Sequence, residues 1–124
     1  YSVAVRNAAL DAREVAIGPS PVLRLFSGAE PANCAAADPS GLLATINLPV
    51  DWMAPAASGS KAKSGVWSGV GSAAGTVASW RIYDSGLVAC HIQGNTIDMA
   101  FDNTNIAIGQ TVTINSFQWT AGNA

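Results

Sequence analysis

Reactive side chains are concentrated in one short stretch of the chain, WRIYDSGLVACHIQGN, which covers residues 80–95. It contains Asp84, Ser85, Cys90 and His91, and His91 is the only histidine in the sequence. An acid, a nucleophile and a base so close together could support nucleophilic catalysis, in which histidine accepts the proton of a serine or cysteine. The alternative is a β-hairpin that carries these residues in its turn and its second strand.

The pattern around Cys90 and His91 favours the hairpin. Adjacent side chains of a strand point to opposite faces of the sheet. Cys90 is in phase with Val88 and Ile92, which predicts that it points into the core. His91 is in phase with Gln93 and is expected to point outward. The two side chains therefore cannot form a nucleophile–base dyad in a regular strand, and we expect His91 to be a surface or interface residue.

The turn of this hairpin is predicted at DSG, residues 84–86. Asp and Ser are favoured in turns because their side chains form hydrogen bonds with the nearby backbone. The segment lacks the G-x-S-x-G elbow of a serine nucleophile and the strand-to-helix context that the elbow needs. We therefore predict a hairpin turn here rather than a catalytic site.

Metal ligands are few in this sequence. Asp102, Asn103 and Asn105 could offer oxygen atoms to calcium, but their spacing does not match an EF-hand, so Asx turns are the expected role. Two cysteines and one histidine cannot supply the four ligands of a structural zinc site. Cys34 and Cys90 allow one disulfide at most, and we expect both to be free, buried thiols. The sequence predicts no metal site and no cofactor.

The composition indicates a protein with permanent neighbours. Charged residues make up 11% of the 124-residue chain, against roughly 25% in an average soluble domain. The net charge is −2 and the basic residues are scattered, which argues against direct nucleic-acid binding. No apolar run approaches the length of a membrane span. A surface so poor in charge is expected to be covered by a partner.

Of the elements that must position these residues, the first is a helix over residues 2–17. Ser2 is a plausible N-cap, and Gly18 followed by PSP predicts an end at Ile17. Apolar residues at helical spacing form one stripe, and the helix is expected either to pack on the sandwich or to reach toward a neighbouring subunit. This stripe consists of Val5, Ala8, Ala12, Val15 and Ala16.

From Pro21 onward the apolar pattern changes to a period of two, which is typical of strands. We count about seven strands at close spacing, which predicts a mainly β protein with antiparallel strands in a sandwich or barrel. The predicted organisation is a single domain over residues 1–124. It combines an N-terminal helix at 1–18 with a β-sandwich at 21–124.

The last predicted strand, TVTINSFQW, contains an irregularity. Val112 and Ile114 share one parity, whereas Phe117 and Trp119 share the other. Both pairs can point inward only if one extra residue is inserted near Asn115 or Ser116. The pattern therefore predicts a β-bulge at that position.

Four residues are candidates for a protein interface: Trp52, Met53, Tyr83 and His91. Trp and Tyr are enriched at interfaces. Trp52 and Met53 lie in a proline-flanked loop, where the tryptophan is either a contact anchor or a plug for the open end of a sandwich. Strand parity places Tyr83 and His91 on outward faces.

Several phrases of the sequence carry a resemblance to a known group of proteins: SVAVRNAALDA, LATINLPVDWMA, WRIYDSG, CHIQG and VTINSFQWTAGNA. In order and spacing, over nearly the whole chain, they resemble small virion proteins of tailed bacteriophages and their prophages. Within that group the chain is similar to capsid cement, or decoration, proteins, which bind the outside of an icosahedral head.

The resemblance implies a β-rich, jelly-roll-like fold and a structural role without enzyme activity or cofactor. It implies the major capsid protein as partner and the head surface of the virion as location, after synthesis in the bacterial cytoplasm. We also expect a homo-oligomer, a dimer or trimer, because icosahedral shells present twofold and threefold sites. The alternatives are a tail or connector component of a phage and a carbohydrate-binding module on a β-sandwich.

Overall fold

The structure is a computed structural model that describes residues 1–121, and 40% of the chain is strand and 12% is helix. Within the described residues, one helix precedes ten strands. Their bounds are α1 Val3–Ile17, β1 Val22–Phe26, β2 Leu42–Asn47, β3 Ser60–Ala62, β4 Ser68–Val70, β5 Gly75–Thr76, β6 Ser79–Tyr83, β7 Cys90–Asn95, β8 Met99–Phe101, β9 Asn105–Ile106 and β10 Thr111–Thr120. The prediction of a mainly β protein with one N-terminal helix is confirmed, although the count of about seven strands missed several segments of two or three residues.

The strands of the described residues pair antiparallel in three sheets. One sheet has four strands in the order β2-β1-β6-β7. The long strand β10 pairs in turn with β4, β8 and β3, and β5 pairs with β9. Along β10, Ile114 lies opposite Phe101 and Ser116 lies opposite Ala100, so Asn115 is the extra residue. The predicted bulge is therefore confirmed.

Both predicted ends of α1 are confirmed. The hydroxyl of Ser2 accepts a hydrogen bond from the backbone N–H of Val5 at 3.2 Å. At the other end, the N–H of Gly18 donates to the carbonyl of Glu14 at 2.9 Å, and its φ of +91° is a conformation that favours glycine. The helix has 15 residues. In the part of the chain that the structure describes, no helix is long and apolar enough to cross a membrane.

The interior contains a continuous group of aromatic rings. Phe117 lies at the centre, with ring centroids 5.6 Å from Trp67, 5.4 Å from Trp80 and 6.0 Å from Trp119. The bulge in β10 allows this packing, because it turns Phe117 and Trp119 to the same side as Ile114. Leu10 and Ile17 of α1 belong to the same buried core.

Candidate functional site

β6 and β7 form the predicted hairpin, and Asp84 shapes its turn. One carboxylate oxygen of Asp84 accepts a hydrogen bond from the N–H of Val88 at 2.8 Å, and its carbonyl accepts one from the N–H of Leu87 at 3.0 Å. The other carboxylate oxygen lies 3.8 Å from Nε2 of His91. Asp84 therefore acts as the turn residue that the sequence predicted, with one long contact to the histidine.

A bulge at His91 changes the face of the sheet on which Cys90 lies. Ile82 is opposite Ile92, and Tyr83 is opposite Cys90, so His91 is the extra residue of β7. Since one extra residue reverses the parity of a strand, Cys90 shares the face of Tyr83 rather than that of Ile92. The prediction that Cys90 points into the core with Ile92 is wrong for this reason.

Two of the four interface candidates lie in the core. Trp52 is 0% exposed and Met53 is 1% exposed. The indole N–H of Trp52 donates to the carbonyl of Gly18 at 3.1 Å, and its ring packs against Trp67 and Trp119. Trp52 therefore fills the interior, as in the plug alternative, and is not an exposed contact anchor. Met53 lies in the same interior.

The other two candidates differ from each other in exposure. Tyr83 is buried, and its hydroxyl forms a hydrogen bond with Asp38, so its predicted outward face is covered by another part of the chain. Burial, and then the hydrogen bond with Asp38, raises the pKa of Tyr83. His91 reaches the surface in a groove beside α1, where Arg13 and Trp119 also lie. An interface role for His91 stays a prediction.

The cover over Tyr83 is the connection between β1 and β2, residues 27–41, called here the covering loop. It lies on the face of the four-stranded sheet that carries Arg81, which is 2% exposed. The guanidinium of Arg81 donates to the carboxylate of Asp38 at 3.0 Å and to the carbonyl of Asn33 at 3.0 Å, both in the covering loop. A third bond runs to the side-chain oxygen of Gln93 at 3.1 Å. β6 is consequently buried on both faces.

The covering loop also brings the two cysteines together. The sulfur of Cys34 in the loop lies 2.7 Å from that of Cys90 in β7, although the two residues are 56 positions apart. Both side chains are half-buried and line a cleft of about 600 Å³. Burial, and then the neighbouring Cys34, raises the pKa of Cys90 to about 12. The sequence allowed one disulfide but gave no signal that the thiols meet.

The helix α1 turns its polar side toward the body of the protein. The amide oxygen of Asn7 accepts a hydrogen bond from the N–H of Gly59 at 2.9 Å. The ammonium group of Lys61 in β3 lies 2.6 Å from the carboxylate of Asp11 and 2.8 Å from that of Glu14. Since Lys61 is 2% exposed, these carboxylates balance a buried charge, which would be costly without them.

The opposite side of α1 is apolar and lies in solvent. We call it the outer face of α1, and it consists of Ala4, Val5, Ala8, Ala9, Ala12, Val15 and Ala16, all exposed. The apolar stripe found in the sequence lies entirely within this face, so it does not pack on the sheets. The inner side of the helix carries the buried Leu10 and Ile17, beside the carboxylates that contact Lys61. At 15 residues and 1.5 Å of rise per residue, the helix is about 22 Å long.

In the loop near Asp102, side-chain oxygen atoms accept hydrogen bonds from backbone N–H groups. A carboxylate oxygen of Asp102 accepts hydrogen bonds from the N–H groups of Asn103 at 2.7 Å and Thr113 at 3.1 Å. The side-chain oxygen of Asn103 accepts one from the N–H of Asn105 at 2.9 Å. This is the predicted loop capping. Among residues 1–121, no group of three or more His, Cys, Asp or Glu side chains is placed to hold a metal ion.

Two features of the chain therefore stand out: the exposed outer face of α1 and the cysteine pair beneath the covering loop. They lie on different elements and have different chemistry, the first apolar and the second a pair of thiols. None of the protein-family models, curated proteins or solved structures compared with this chain matches it.

Proposed function

We propose that this chain is a capsid cement protein of a tailed bacteriophage, and that the outer face of α1 is its contact surface on the head. The observation that carries the proposal is the orientation of the helix. Its inner side carries Leu10, Ile17 and the polar partners of Lys61, and its opposite, apolar side lies in water. Contiguous exposed apolar surface is typical of interaction sites, whereas single exposed apolar residues are ordinary. A partner that covers this face removes it from water, at roughly 25 cal/mol per Å² of apolar area.

The sequence resemblance supplies the biological setting of the proposal. Phrases typical of small phage virion proteins are spread over the whole chain, and two of them coincide with structured features. SVAVRNAALDA contains most of α1, and WRIYDSG contains most of β6 and the start of its turn. The jelly-roll-like order of strands is part of this proposal, and the antiparallel pairing of the sheets supports it.

The outer face alone is smaller than a stable interface. A strip about 22 Å long and roughly 10 Å wide offers about a quarter of the ~800 Å² per partner found in specific complexes. A cleft of about 530 Å³ beside the helix extends the contact area, and its lining adds two cations, Arg6 and Arg13, to apolar residues such as Val5 and Ala9. A contact of this modest size stabilises a shell because it is repeated on many copies and binds only the assembled state.

A carbohydrate-binding role receives no support from the tryptophans. Stacking on a sugar requires an exposed aromatic ring, and the four tryptophans are at most 8% exposed. A tail or connector role would use the same helix face, so the location in the particle separates it from the cement role. We also propose self-association as a dimer or trimer at the symmetry axes of the head.

Quantitative mass spectrometry of purified virions and of tailless heads tests the cement role. A cement protein is expected on both particles at a copy number comparable to that of the major capsid protein. Presence on virions but not on tailless heads would instead assign the chain to the tail. Absence from both particles would end the proposal.

A matched pair of substitutions tests the contact surface. Val15 in the outer face of α1 is 80% exposed, and Val88 in the β6–β7 turn is 85% exposed. We expect Val15→Lys to weaken co-sedimentation with heads that lack the protein by at least about tenfold, or ~1.4 kcal/mol, because it places a charge in an apolar contact. We expect Val88→Lys to change binding by less than about twofold, or ~0.4 kcal/mol.

Both variants should unfold within about 0.5 kcal/mol of the parent chain, because surface substitutions away from specific contacts have small effects. Lysine is also a better helix former than valine. A change in binding would therefore not arise from loss of the fold. If both variants bind as tightly as the parent, α1 is not the contact.

A further inference from the structure

The two cysteines are positioned to react with each other. Their sulfur atoms are 2.7 Å apart, so a small movement brings them to the ~2.05 Å of a disulfide bond. From this juxtaposition we infer that Cys34 and Cys90 form a disulfide when the folded chain meets a small disulfide oxidant such as oxidised glutathione. The bond fastens the covering loop to β7.

Both cysteines are held in place by neighbours that do not depend on the sulfur atoms. On the loop side, the side-chain oxygen of Asn33 accepts hydrogen bonds from the N–H groups of Ala35 and Ala36, at 3.0 Å each, which fixes the turn around Cys34. The carbonyl of Asn33 is held by Arg81. On the sheet side, Cys90 is fixed by its strand pairing. The proximity of the thiols is therefore a property of the fold.

A small oxidant has access to the pair. The cleft of about 600 Å³ is lined by both cysteines and by Leu87, Val88 and Ala89 of the hairpin turn. Val88 is 85% exposed, which places this side of the cleft at the surface. A tripeptide disulfide can reach a sulfur atom there without unfolding of the sheets.

The reaction consists of two thiol–disulfide exchanges. The thiolate of Cys34 attacks oxidised glutathione, a mixed disulfide forms, and one glutathione thiolate leaves. Burial raises the pKa of Cys90, which slows any direct reaction of its thiol with the oxidant because the thiolate is the nucleophile. After losing its proton to water, Cys90 attacks the Cys34 sulfur of the mixed disulfide and releases the second glutathione. The two protein thiols are oxidised and one molecule of oxidised glutathione becomes two of the reduced form.

The bond has a measurable effect on stability. It closes a loop between residues 56 positions apart, which restricts the unfolded chain much more than the folded chain. For a loop of this length and a chain of this size, the expected rise in melting temperature is on the order of 10 °C.

The experiment uses the purified full chain without any substitution. The protein is incubated with oxidised glutathione, unfolded, and assayed for free thiols and for mass. We expect no free thiol, a mass lower by two hydrogen atoms, and one peptide that links Cys34 to Cys90. Two unreacted thiols, two glutathione adducts on one chain, or disulfide-linked dimers would each overturn the inference.

Oxidation in a urea concentration that unfolds the chain provides the control. Without the fold, the effective concentration of one thiol near the other falls, so the products should shift to glutathione adducts at both positions. Cys34→Ser and Cys90→Ser should each take up one glutathione and show none of the rise in melting temperature. An equal yield of the linked form in urea and in native buffer would show that the fold does not direct the pairing.

Discussion

Lys61 and Arg81 are the two fully buried cations of the described chain, each 2% exposed, and each holds a separate segment against the sheets. Lys61 holds α1 and places all its bonds on oxygen: one carboxylate at 2.6 Å, another at 2.8 Å and the carbonyl of Ala54 at 2.8 Å. Arg81 holds the covering loop through one carboxylate, that of Asp38. Its cross-strand neighbour is a second cation, Arg24.

The attachment of α1 and that of the covering loop differ in charge balance and in whether a covalent bond can be added. Lys61 faces two carboxylates, of Asp11 and Glu14, that are 50% and 23% exposed and remain in contact with water. The Nε of Arg81 has no hydrogen-bond partner among residues 1–121. Cys34 and Cys90 line the same cleft as Arg81. The helix is thus attached by charge and leaves its apolar side free, whereas the loop is attached by charge and can gain a covalent bond. A segment fixed through its polar side is well suited to present its apolar side to a partner.

Removing Arg81 should have the largest effect on stability. Arg81→Met leaves the carbonyl of Asn33 and the side chain of Gln93 without their donor, next to a carboxylate that has lost its counter-ion. Asp38 is 45% exposed and can be hydrated, so the loss arises mainly from the two part-buried acceptors that lose their donor. We expect it to be about 3 kcal/mol in the free energy of unfolding. Urea unfolding at neutral pH measures it.

Arg24→Met is the matched control, because Arg24 is paired with Arg81 in the same sheet. Arg24 is half-buried and lies 5.7 Å from the centre of the Tyr83 ring. Its replacement should cost about 1 kcal/mol or less. Equal losses for the two variants would show that the hydrogen bonds from Arg81 to the covering loop do not stabilise it.

Removing Lys61 should have a smaller effect. Lys61→Met leaves two carboxylates that can be hydrated because they are partly exposed, so we expect a loss of about 2 kcal/mol, below the usual range for buried pairs. Hydrogen exchange should show faster opening of α1 than of the four-stranded sheet. Lys63, two positions away, is half-buried, donates to the carbonyl of Gly65 and lies 5.7 Å from the centre of the Trp67 ring. Lys63→Met should therefore cost about 1 kcal/mol or less. Uniform acceleration throughout the chain would show that α1 is not a separately attached segment.

Acid should loosen the same attachment. The hydrogen bond from Lys61, and then that from the backbone of Ala56, lowers the pKa of Asp11. A carboxyl group with a lower pKa in the folded state contributes stability above its unfolded pKa of about 3.9, and this contribution disappears as pH falls through the folded value. Asp11→Asn should therefore flatten the decline of the urea midpoint below about pH 4. Parallel pH profiles for variant and parent would contradict this role.

At the alkaline end the sign is reversed. Burial by itself would lower the pKa of Lys61, but the hydrogen bonds with Asp11 and Glu14 outweigh it and raise the pKa. The ion pair is therefore fully present below the ordinary lysine pKa of about 10.4, and its contribution is lost as pH rises through the folded value. The helix should be most firmly attached between these two limits.

Local signals in the sequence determined several features of the protein. Ser2 and Gly18 set the ends of α1, because caps act within one helical turn. The parity change in the last strand placed the bulge near Asn115 or Ser116, because the apolar residues on both sides must reach one core. The turn residue Asp84 marked the hairpin of β6 and β7. Each of these features depends on residues that are neighbours in the chain.

Tertiary structure decided which side of each element is buried. The apolar stripe of α1 lies in solvent, because Leu10, Ile17 and the partners of Lys61 occupy the inner side of the helix. The bulge at His91 moved Cys90 to the other face of its sheet, since a single extra residue reverses the period of two. No local pattern predicts the bulge at His91, because Cys90 and Ile92 fit the alternation of a regular strand.

The covering loop shows the same limit most clearly. The sequence predicts a loop over residues 29–41, and it places Arg81 and Tyr83 on the outward side of a strand. Only the folded chain shows that the loop lies on that side, where it buries the arginine and brings Cys34 to Cys90. Loop closure depends on contacts between distant residues, and such contacts leave no period in the sequence. The elements could therefore be predicted from the sequence, whereas the pairing of their faces could not.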